Sequence, residues 1–297
     1  MMNRLLLVSF LLLNSSMLHC LELKGNFFQG NPLGTADSGQ FMIDWYNQLE
    51  YDAIVPGRYD FILGAQNLNK LIESANFPFL AANLNCNDCD LISTNIKPYL
   101  IKEIKGVKVG IIGIVSSGLK DWVLAENIRG IEFEYEARAL QKWVPKVRKA
   151  GAEVIIVLTS SGVPWDRQEA YSSFRKRLGN DKNWNPVDTT LNSIQMAYYA
   201  ENVDIIISGG ENKGYPLPFY DYNSHVFTFQ NYGNGTEFGH FKMKIGKESH
   251  SFIGYEPSIK GRVSQTTLSD DFTSDFKIKN QIDNQIEISL KKLYNKE

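Results

Sequence analysis

Apolar runs alternate along the chain with amphipathic stretches, a pattern that predicts strands alternating with helices. Runs that are apolar on both faces predict buried strands at 53–55, 107–115, 154–158 and 203–207. Amphipathic spacing predicts helices over 65–75 and 134–149, with Pro145 expected to kink or divide the second one. Residues 225–230 and 238–245 are expected to be paired strands that close the domain. This pattern predicts an α/β layered sandwich with two central β-sheets flanked by helices.

Two regions depart from the simple alternation. The polar stretch 163–202 is far longer than an ordinary connection between two strands. It holds helix candidates over 166–178 and 189–200, and it is either a decorated loop or a binding element. The segment 256–297 is expected to be a linker and an amphipathic helix, which would pack on its own domain or recruit a partner. The apolar positions of that helix are Phe272, Phe276, Ile282, Ile286, Leu290 and Leu293.

The N-terminus has the pattern of an export signal. Arg4 precedes a short apolar run over 5–13, which predicts that residues 1–20 are a signal peptide. The alternative interpretation of the same run is a buried strand. Cys20 follows the run at a place where a lipoprotein would be acylated, although His19 before it is bulky. The chain is therefore expected to be exported, either periplasmic or anchored to a membrane through Cys20, with its main domain over 21–255.

Composition and cysteine usage narrow the function classes. The chain has 297 residues, 43% of them hydrophobic and 22% charged, with a formal net charge of −2. This charge balance disfavours a nucleic-acid partner, which would need clustered Lys and Arg. Cys86 and Cys89 are expected to close a small structural disulfide loop in an exported protein. A zinc site would require a second pair of ligands, and a redox role would require a helix N-terminus.

Several motifs together resemble the metallophosphoesterase domain of the 5'-nucleotidase family. Gly25-Asn26-Phe27-Phe28-Gln29-Gly30 resembles the family's second metal motif, and Gly57-Arg58-Tyr59-Asp60-Phe61 occupies the place of its Gly-Asn-His-Glu-Phe motif. The stretch 97–113 resembles the central hairpin and strand. The resemblance covers about residues 25–255 and implies a fold whose members hold two divalent metals and hydrolyse phosphoesters in nucleotide catabolism. The family's first strand and its C-terminal nucleotide-binding domain are expected to be missing.

Every metal motif of the family is altered at its ligand positions. The first motif is expected to be absent, because only the predicted signal peptide precedes Gly25. The residues that stand at the remaining ligand positions are Asn26, Arg58, Tyr59, Ser160, Gly210 and Asn212. A cation, a phenol, a hydroxyl and a glycine cannot replace the carboxylates and imidazoles that such metals need. The resemblance therefore implies a non-catalytic binding or structural protein without a metal cofactor.

The resemblance also places a vestigial pocket at the carboxyl ends of the strands. Arg58, Tyr59, Ser160, Glu211 and Asn212 would line this pocket, and Arg58 would contact an anion. The expected partner is a small polar or anionic ligand, or a protein that binds 163–202 or the terminal helix. Membrane contact is expected only through a lipid anchor.

The alternative function is a phosphoester hydrolase with a rebuilt, metal-dependent site. Its candidate groups are Asp60, Asp166, Glu211 and Ser160, which offer carboxylates and a hydroxyl near the altered motifs.

Overall fold

The computed structural model describes residues 4–9, 34, 36–233, 236–257, 265–269 and 273–294, and for 4–9 it describes the backbone. Asn26 and Cys20 lie outside the described residues. The strands are β1 (Arg4–Ser9), β2 (Phe79–Leu80), β3 (Leu84–Cys86), β4 (Ile96–Lys97), β5 (Tyr99–Ile104), β6 (Val107–Ile114), β7 (Ile131–Phe133), β8 (Val154–Thr159), β9 (Ile205–Ser208), β10 (Phe219–Tyr220), β11 (Phe227–Phe229), β12 (Glu237–Ile245), β13 (Phe252–Pro257) and β14 (Gln265–Thr267). The helices are α1 (Gln40–Gln48), α2 (Gly64–Ser74), α3 (Glu136–Lys149), α4 (Arg167–Asn180), α5 (Ser193–Ala197) and α6 (Phe276–Tyr294).

The central sheet has the strand order β10-β11-β9-β8-β6-β5. Strands β6, β8, β9 and β11 are parallel, and an antiparallel strand lies at each edge. Every residue of β8 is buried. Because successive side chains point to opposite faces, such a strand must be covered on both sides, and the apolar pattern predicted this correctly.

A second sheet covers one face of the central sheet. It has the order β1-β12-β13, and β14 also pairs with β12. Buried and half-buried residues alternate along β12, and Phe241, Met243 and Ile245 join the core with no exposed surface. The Phe241 ring stacks on Phe229 of β11, with ring centroids 4.3 Å apart. The opposite face of the central sheet is covered by α3, which buries Leu140 together with the other side chains of that face.

Two sequence-based expectations about strand pairing are wrong. Residues 225–230 and 238–245 do form strands, but β11 pairs with β9 and β10 in the central sheet, whereas β12 lies in the second sheet. Periodicity identifies strands and contains no information about their partners. The sheet also does not lack a first strand, because Arg4–Ser9 pairs antiparallel with the segment from His240 to Ile245 of β12. An apolar run satisfies the backbone groups of a sheet edge as well as it forms the core of a signal peptide.

The stretch 163–202 folds onto the central sheet through its own helices. Asp166 caps α4 by accepting the Glu169 backbone N–H at 3.1 Å, and Asn192 caps α5 in the same way. Phe174 of α4 is buried among aromatic side chains of this stretch. The predicted helix over 189–200 is therefore shorter than expected, because only Ser193–Ala197 is helical. Helix α3 includes Pro145 and is not divided by it.

The terminal helix α6 contacts the domain through polar side chains. Gln285 donates to Asp37 at 3.1 Å, and Ser289 is buried. Ile282 and Ile286, which were expected to form its packed face, are partly exposed. Within the described ranges, none of the helices combines the length and the apolar character that crossing a membrane requires.

Candidate functional site

Parallel strands bring their carboxyl ends to one edge of the central sheet, and the altered motifs lie in the loops at that edge. Ser160 follows β8, and its Oγ accepts the backbone N–H of Ser116, which follows β6, at 3.1 Å. Gly210 follows β9 and has a φ of 98°. A Cβ atom at Gly210 would lie 2.2 Å from the carbonyl oxygen of Ser160. The loops after β8 and β9 therefore touch through backbone atoms, and residue 210 has no room for a side chain.

Glu211 and Asn212 also lie against neighbouring loops. A Cβ atom at Gly162 would lie 2.4 Å from Cγ of Glu211, so the glutamate side chain covers that glycine. The backbone N–H of Gly233 donates to the carbonyl oxygen of Asn212 at 2.9 Å. The structure therefore brings Ser160, Gly210, Glu211 and Asn212 together as packed loop residues.

Arg58 is held between two aromatic rings. It begins a short 3-10 helix, Arg58–Phe61, which Asp60 stabilises by accepting the Gly57 backbone N–H at 2.8 Å. The Cζ atom of Arg58 lies 5.2 Å from the ring centroid of Tyr59 and 4.8 Å from that of Trp122. The Trp122 side chain is 74% exposed. The guanidinium therefore sits in an aromatic clamp that opens to solvent.

The clamp leaves the charge of Arg58 without an anionic partner in the described part of the chain. Its Nε–H is buried and has no hydrogen-bond acceptor there. None of the ion pairs formed within the described ranges includes Arg58. The Tyr59 and Trp122 rings contribute no opposite charge, so the guanidinium keeps its positive charge while its Nε–H stays enclosed.

The carboxylates of the alternative, rebuilt site already serve local structure. Asp60 is completely buried and caps its own turn, and Asp166 caps α4. Glu211 lies against Gly162. Among the described residues, no group of three or more His, Cys, Asp or Glu side chains is arranged to hold a metal ion. With Gly210 closed to any side chain and a guanidinium at position 58, the motif positions that the structure describes do not fit a pair of divalent metals.

One buried carboxylate beside this edge was not anticipated from the sequence. Glu136 has no exposed surface, and it accepts the Ser117 backbone N–H at 2.7 Å, the Ser117 hydroxyl at 3.0 Å and the Leu191 backbone N–H at 3.1 Å. Burial raises the pKa of Glu136, and the hydrogen bonds from Ser117 and Leu191 oppose that shift. Glu136 thus fastens the loop after β6 to the stretch 163–202. A glutamate in the first turn of a helix ordinarily predicts an exposed side chain.

Cys86 and Cys89 are joined by a disulfide. Cys86 is exposed and is the last residue of the short strand β3. The Leu91 backbone N–H donates a hydrogen bond to Cys89 Sγ at 3.3 Å. The disulfide lies in a surface loop that contacts Gly130, where a Cβ atom would meet the carbonyl oxygen of Asn87.

Comparison with known proteins identifies the relatives of this chain, although no protein-family model matches it. A protein of Listeria monocytogenes named as a cell wall protein is 28% identical over 217 residues, covering 69% of this chain and 26% of the relative. A snake venom 5'-nucleotidase of Gloydius brevicauda is 34% identical over 149 residues, covering 49% of this chain and 25% of that enzyme. The chain thus spans about a quarter of the length of these curated relatives.

The solved structures agree with the sequence relatives. A calcineurin-like phosphoesterase of Bacillus subtilis has a TM-score of 0.65 at 22% identity, covering 91% of this chain and 84% of that chain. The fold is therefore that of the calcineurin-like metallophosphoesterases, and the homologues are 5'-nucleotidases and related phosphoesterases. The resemblance expected from the motifs is confirmed.

Proposed function

Since the homologues of this chain are 5'-nucleotidases and related phosphoesterases, we propose that it is a non-catalytic relative that binds a small anion through Arg58. The observation that carries this proposal is the aromatic clamp of Tyr59 and Trp122, which holds a cation whose buried Nε–H has no acceptor among the described residues. A buried donor without an acceptor costs about 1–3 kcal/mol, which a bound anion would recover.

The clamp suits an anion because it supports the guanidinium without neutralising it. A carboxylate partner would occupy the N–H donors of Arg58 and cancel its charge. The rings of Tyr59 and Trp122 instead lie beside the guanidinium and add no opposite charge, so an oxyanion that reaches its N–H groups meets no competing carboxylate. Binding without hydrolysis is consistent with the altered motif positions, where Gly210 leaves no space for a ligand side chain.

We further propose that the chain is exported. Residues 1–20 have the pattern of a signal peptide, and one relative is named as a cell wall protein. In the exported form, cleavage before Cys20 would remove Arg4–Ser9, which pairs with β12 in the uncleaved chain. The disulfide between Cys86 and Cys89 is of a kind that persists in oxidising compartments. Acylation of Cys20 would then provide a membrane anchor, and mass spectrometry of the protein purified from membranes would detect the added lipid.

The binding proposal is tested by calorimetric titration of the purified protein with inorganic phosphate, sulfate and citrate. Arg58→Met removes the charge and keeps the apolar stem, and it is expected to weaken anion binding about tenfold or more, because hydrogen bonds to charged groups contribute roughly 1.5–3 kcal/mol. Arg58→Lys keeps the charge but loses the planar fork, so it is expected to restore only part of the affinity. Lys120→Met is the matched control, because Lys120 is a nearby cation that rests on the Tyr135 ring.

The non-catalytic part of the proposal has its own test. Hydrolysis of a generic aryl phosphate is measured with and without added manganese or zinc, and no metal-dependent turnover above the buffer rate is expected. Turnover that requires metal and survives Arg58→Met would overturn the proposal in favour of a rebuilt hydrolase. Equal anion affinity of Arg58→Met and Lys120→Met would overturn the assignment of Arg58.

A further inference from the structure

A second cation lies within aromatic rings at the same edge of the central sheet. The Nζ atom of Lys213 is 5.1 Å from the ring centroid of Trp165, 5.8 Å from that of Tyr215 and 5.7 Å from that of Tyr232. The Cζ atom of Arg167 is 4.2 Å from the Tyr215 ring centroid. These five residues are called the Lys213 cluster below. Their loops follow β8, β9 and β11, which are adjacent in the sheet.

A buried hydrogen-bond network fixes the loops of the Lys213 cluster to one another. The Gln230 side chain accepts the Val163 backbone N–H at 2.8 Å and the Ser208 hydroxyl at 2.7 Å, and it donates to the carbonyl oxygen of Lys213. The Tyr215 backbone N–H donates to the Gln230 carbonyl oxygen at 2.9 Å. The three loop backbones are therefore fixed relative to one another before any ligand arrives, which lowers the entropic cost of binding.

Tyr215 and Tyr232 are locked further by direct contacts. The Tyr215 hydroxyl donates to the carbonyl oxygens of Pro164 and Trp165. A Cβ atom at Gly214 would lie 2.1 Å from the backbone nitrogen of Tyr232 and 2.6 Å from its ring. Any side chain at residue 214 would overlap the backbone and the ring of Tyr232, so a glycine is required there.

The cluster combines positive charge with an exposed ring face. None of the ion pairs within the described part of the chain includes Lys213 or Arg167, and Arg167 donates to the Leu217 carbonyl oxygen at 2.8 Å. The Trp165 side chain is 68% exposed. The surface therefore offers two cations without carboxylate partners beside an open indole.

A ligand that satisfies both features carries an anion directly on a ring with an apolar face. The indole face is electron-rich, so it attracts the weakly positive C–H face of a saturated ring. A sugar acid has such a face and a carboxylate attached to the same ring. The ammonium of Lys213 lies 5.1 Å from the indole centroid, so a ring that contacts the exposed part of Trp165 lies within reach of the long Lys213 side chain. We propose that the Lys213 cluster is a binding site for acidic carbohydrate, separate from the Arg58 clamp.

The test is a calorimetric titration with three probes at low salt, carried out on the full-length Arg58→Met variant so that anions bound at the clamp do not contribute. Trigalacturonate supplies rings with carboxylates, a neutral galactose trisaccharide supplies rings alone, and citrate supplies carboxylates alone. Trigalacturonate is expected to bind about tenfold or more tightly than either control probe, and its affinity is expected to fall as salt rises. Binding no tighter than either control probe would overturn the proposal.

Substitutions within the Lys213 cluster test whether trigalacturonate binds there. Trp165→Ala and Lys213→Met are each expected to weaken trigalacturonate binding about tenfold, with circular dichroism confirming that the fold is kept. Lys146→Met is the matched control, because Lys146 lies 4.5 Å from the Trp143 ring centroid on another surface, and it should leave binding unchanged. Loss of trigalacturonate binding in Arg58→Met, or full binding in both cluster variants, would overturn this site while leaving the Arg58 proposal to its own test.

Discussion

Replacing Arg148 with Met is expected to destabilise the fold by about 2–3 kcal/mol at neutral pH. Arg148 lies near the end of α3 and donates to the carbonyl oxygens of Glu153 at 2.7 Å and Asn202 at 2.8 Å. It also donates to the Asp204 carboxylate at 3.0 Å. This one side chain therefore joins the turn before β8 to the segment before β9. Methionine would keep most of the apolar stem and lose every one of these hydrogen bonds.

The expected loss of stability in Arg148→Met follows from the surroundings of Asp204. Breaking a buried ion pair by removing one partner costs about 3–5 kcal/mol. The side chains of Arg148 and Asp204 are 31% and 19% exposed, so solvent screening places this pair at or below the lower end of that range. Asp204 also accepts the Ile155 backbone N–H at 2.7 Å, and that bond would remain.

The cost of Arg148→Met is expected to depend on pH. Burial raises the pKa of Asp204 above its ordinary value of 3.8, while the Ile155 hydrogen bond and Arg148 oppose the shift. Loss of Arg148 would raise that pKa further. A carboxyl group with a raised pKa in the folded state contributes stability below its unfolded value, and that contribution is lost as pH rises through the folded value. The penalty should therefore be smallest in acid and should grow towards neutral pH.

Urea unfolding followed by tryptophan fluorescence, from about pH 4 to about pH 8, measures this dependence. The double variant Arg148→Met with Asp204→Asn removes the stranded charge and should be more stable at neutral pH than the single variant. Lys279→Met breaks an exposed pair with Asp283 and should change stability by less than about 1 kcal/mol. The reasoning would be refuted if Arg148→Met lost no more stability than Lys279→Met, or if its loss of stability did not vary with pH.

Two further predictions concern the site edge and the sheet ends. Gly210→Ala is expected to lower the free energy of unfolding by about 1–3 kcal/mol, because φ is 98° and the added Cβ would meet the Ser160 carbonyl oxygen. Thermal or urea unfolding measures this loss. The control is Gly179→Ala, which lies in a helix with open space around it and should be neutral or stabilising. The Lys108 backbone N–H lowers the pKa of Glu153, so its stabilising contribution should be lost as pH falls below the ordinary value of 4.5. In Glu153→Gln the free energy of unfolding should therefore depend less on pH in the acid range than in the unmodified protein. The same pH dependence in both proteins would contradict this prediction.

Much of the fold could be predicted from the apolar pattern, because the pattern reports burial directly. Strands β6 and β8 are apolar on both faces, and both are buried as expected. Partners were harder to predict, since β11 and β12 have similar patterns and yet lie in different sheets. The apolar spacing of α6 predicts an amphipathic helix, and it does not specify which positions contact the domain: Ser289 is buried, whereas Ile282 and Ile286 are partly exposed.

The candidate site was only partly predictable, because motif positions identify residues and not their surroundings. The motif comparison identified Arg58 as an unusual cation. It contained no information about Trp122, which comes from a distant loop and forms one wall of the clamp. Glu136 was missed for a similar reason, since its partners Ser117 and Leu191 are brought to it only by tertiary structure. The Lys213 cluster likewise joins three loops that no local pattern connects.

Arg58 and Lys213 are both held by aromatic rings rather than by carboxylates, which suits both side chains to binding anions. A carboxylate partner neutralises a cation, whereas the rings around Arg58 and Lys213 stabilise the charge by their quadrupoles and add no opposite charge. Each contact of this kind contributes about 0.5–1 kcal/mol at an exposed site. This is enough to orient a side chain, but it does not replace the hydrogen bonds that its N–H donors can form. Arg58 and Lys213 therefore keep their positive charge without a carboxylate partner in the described part of the chain.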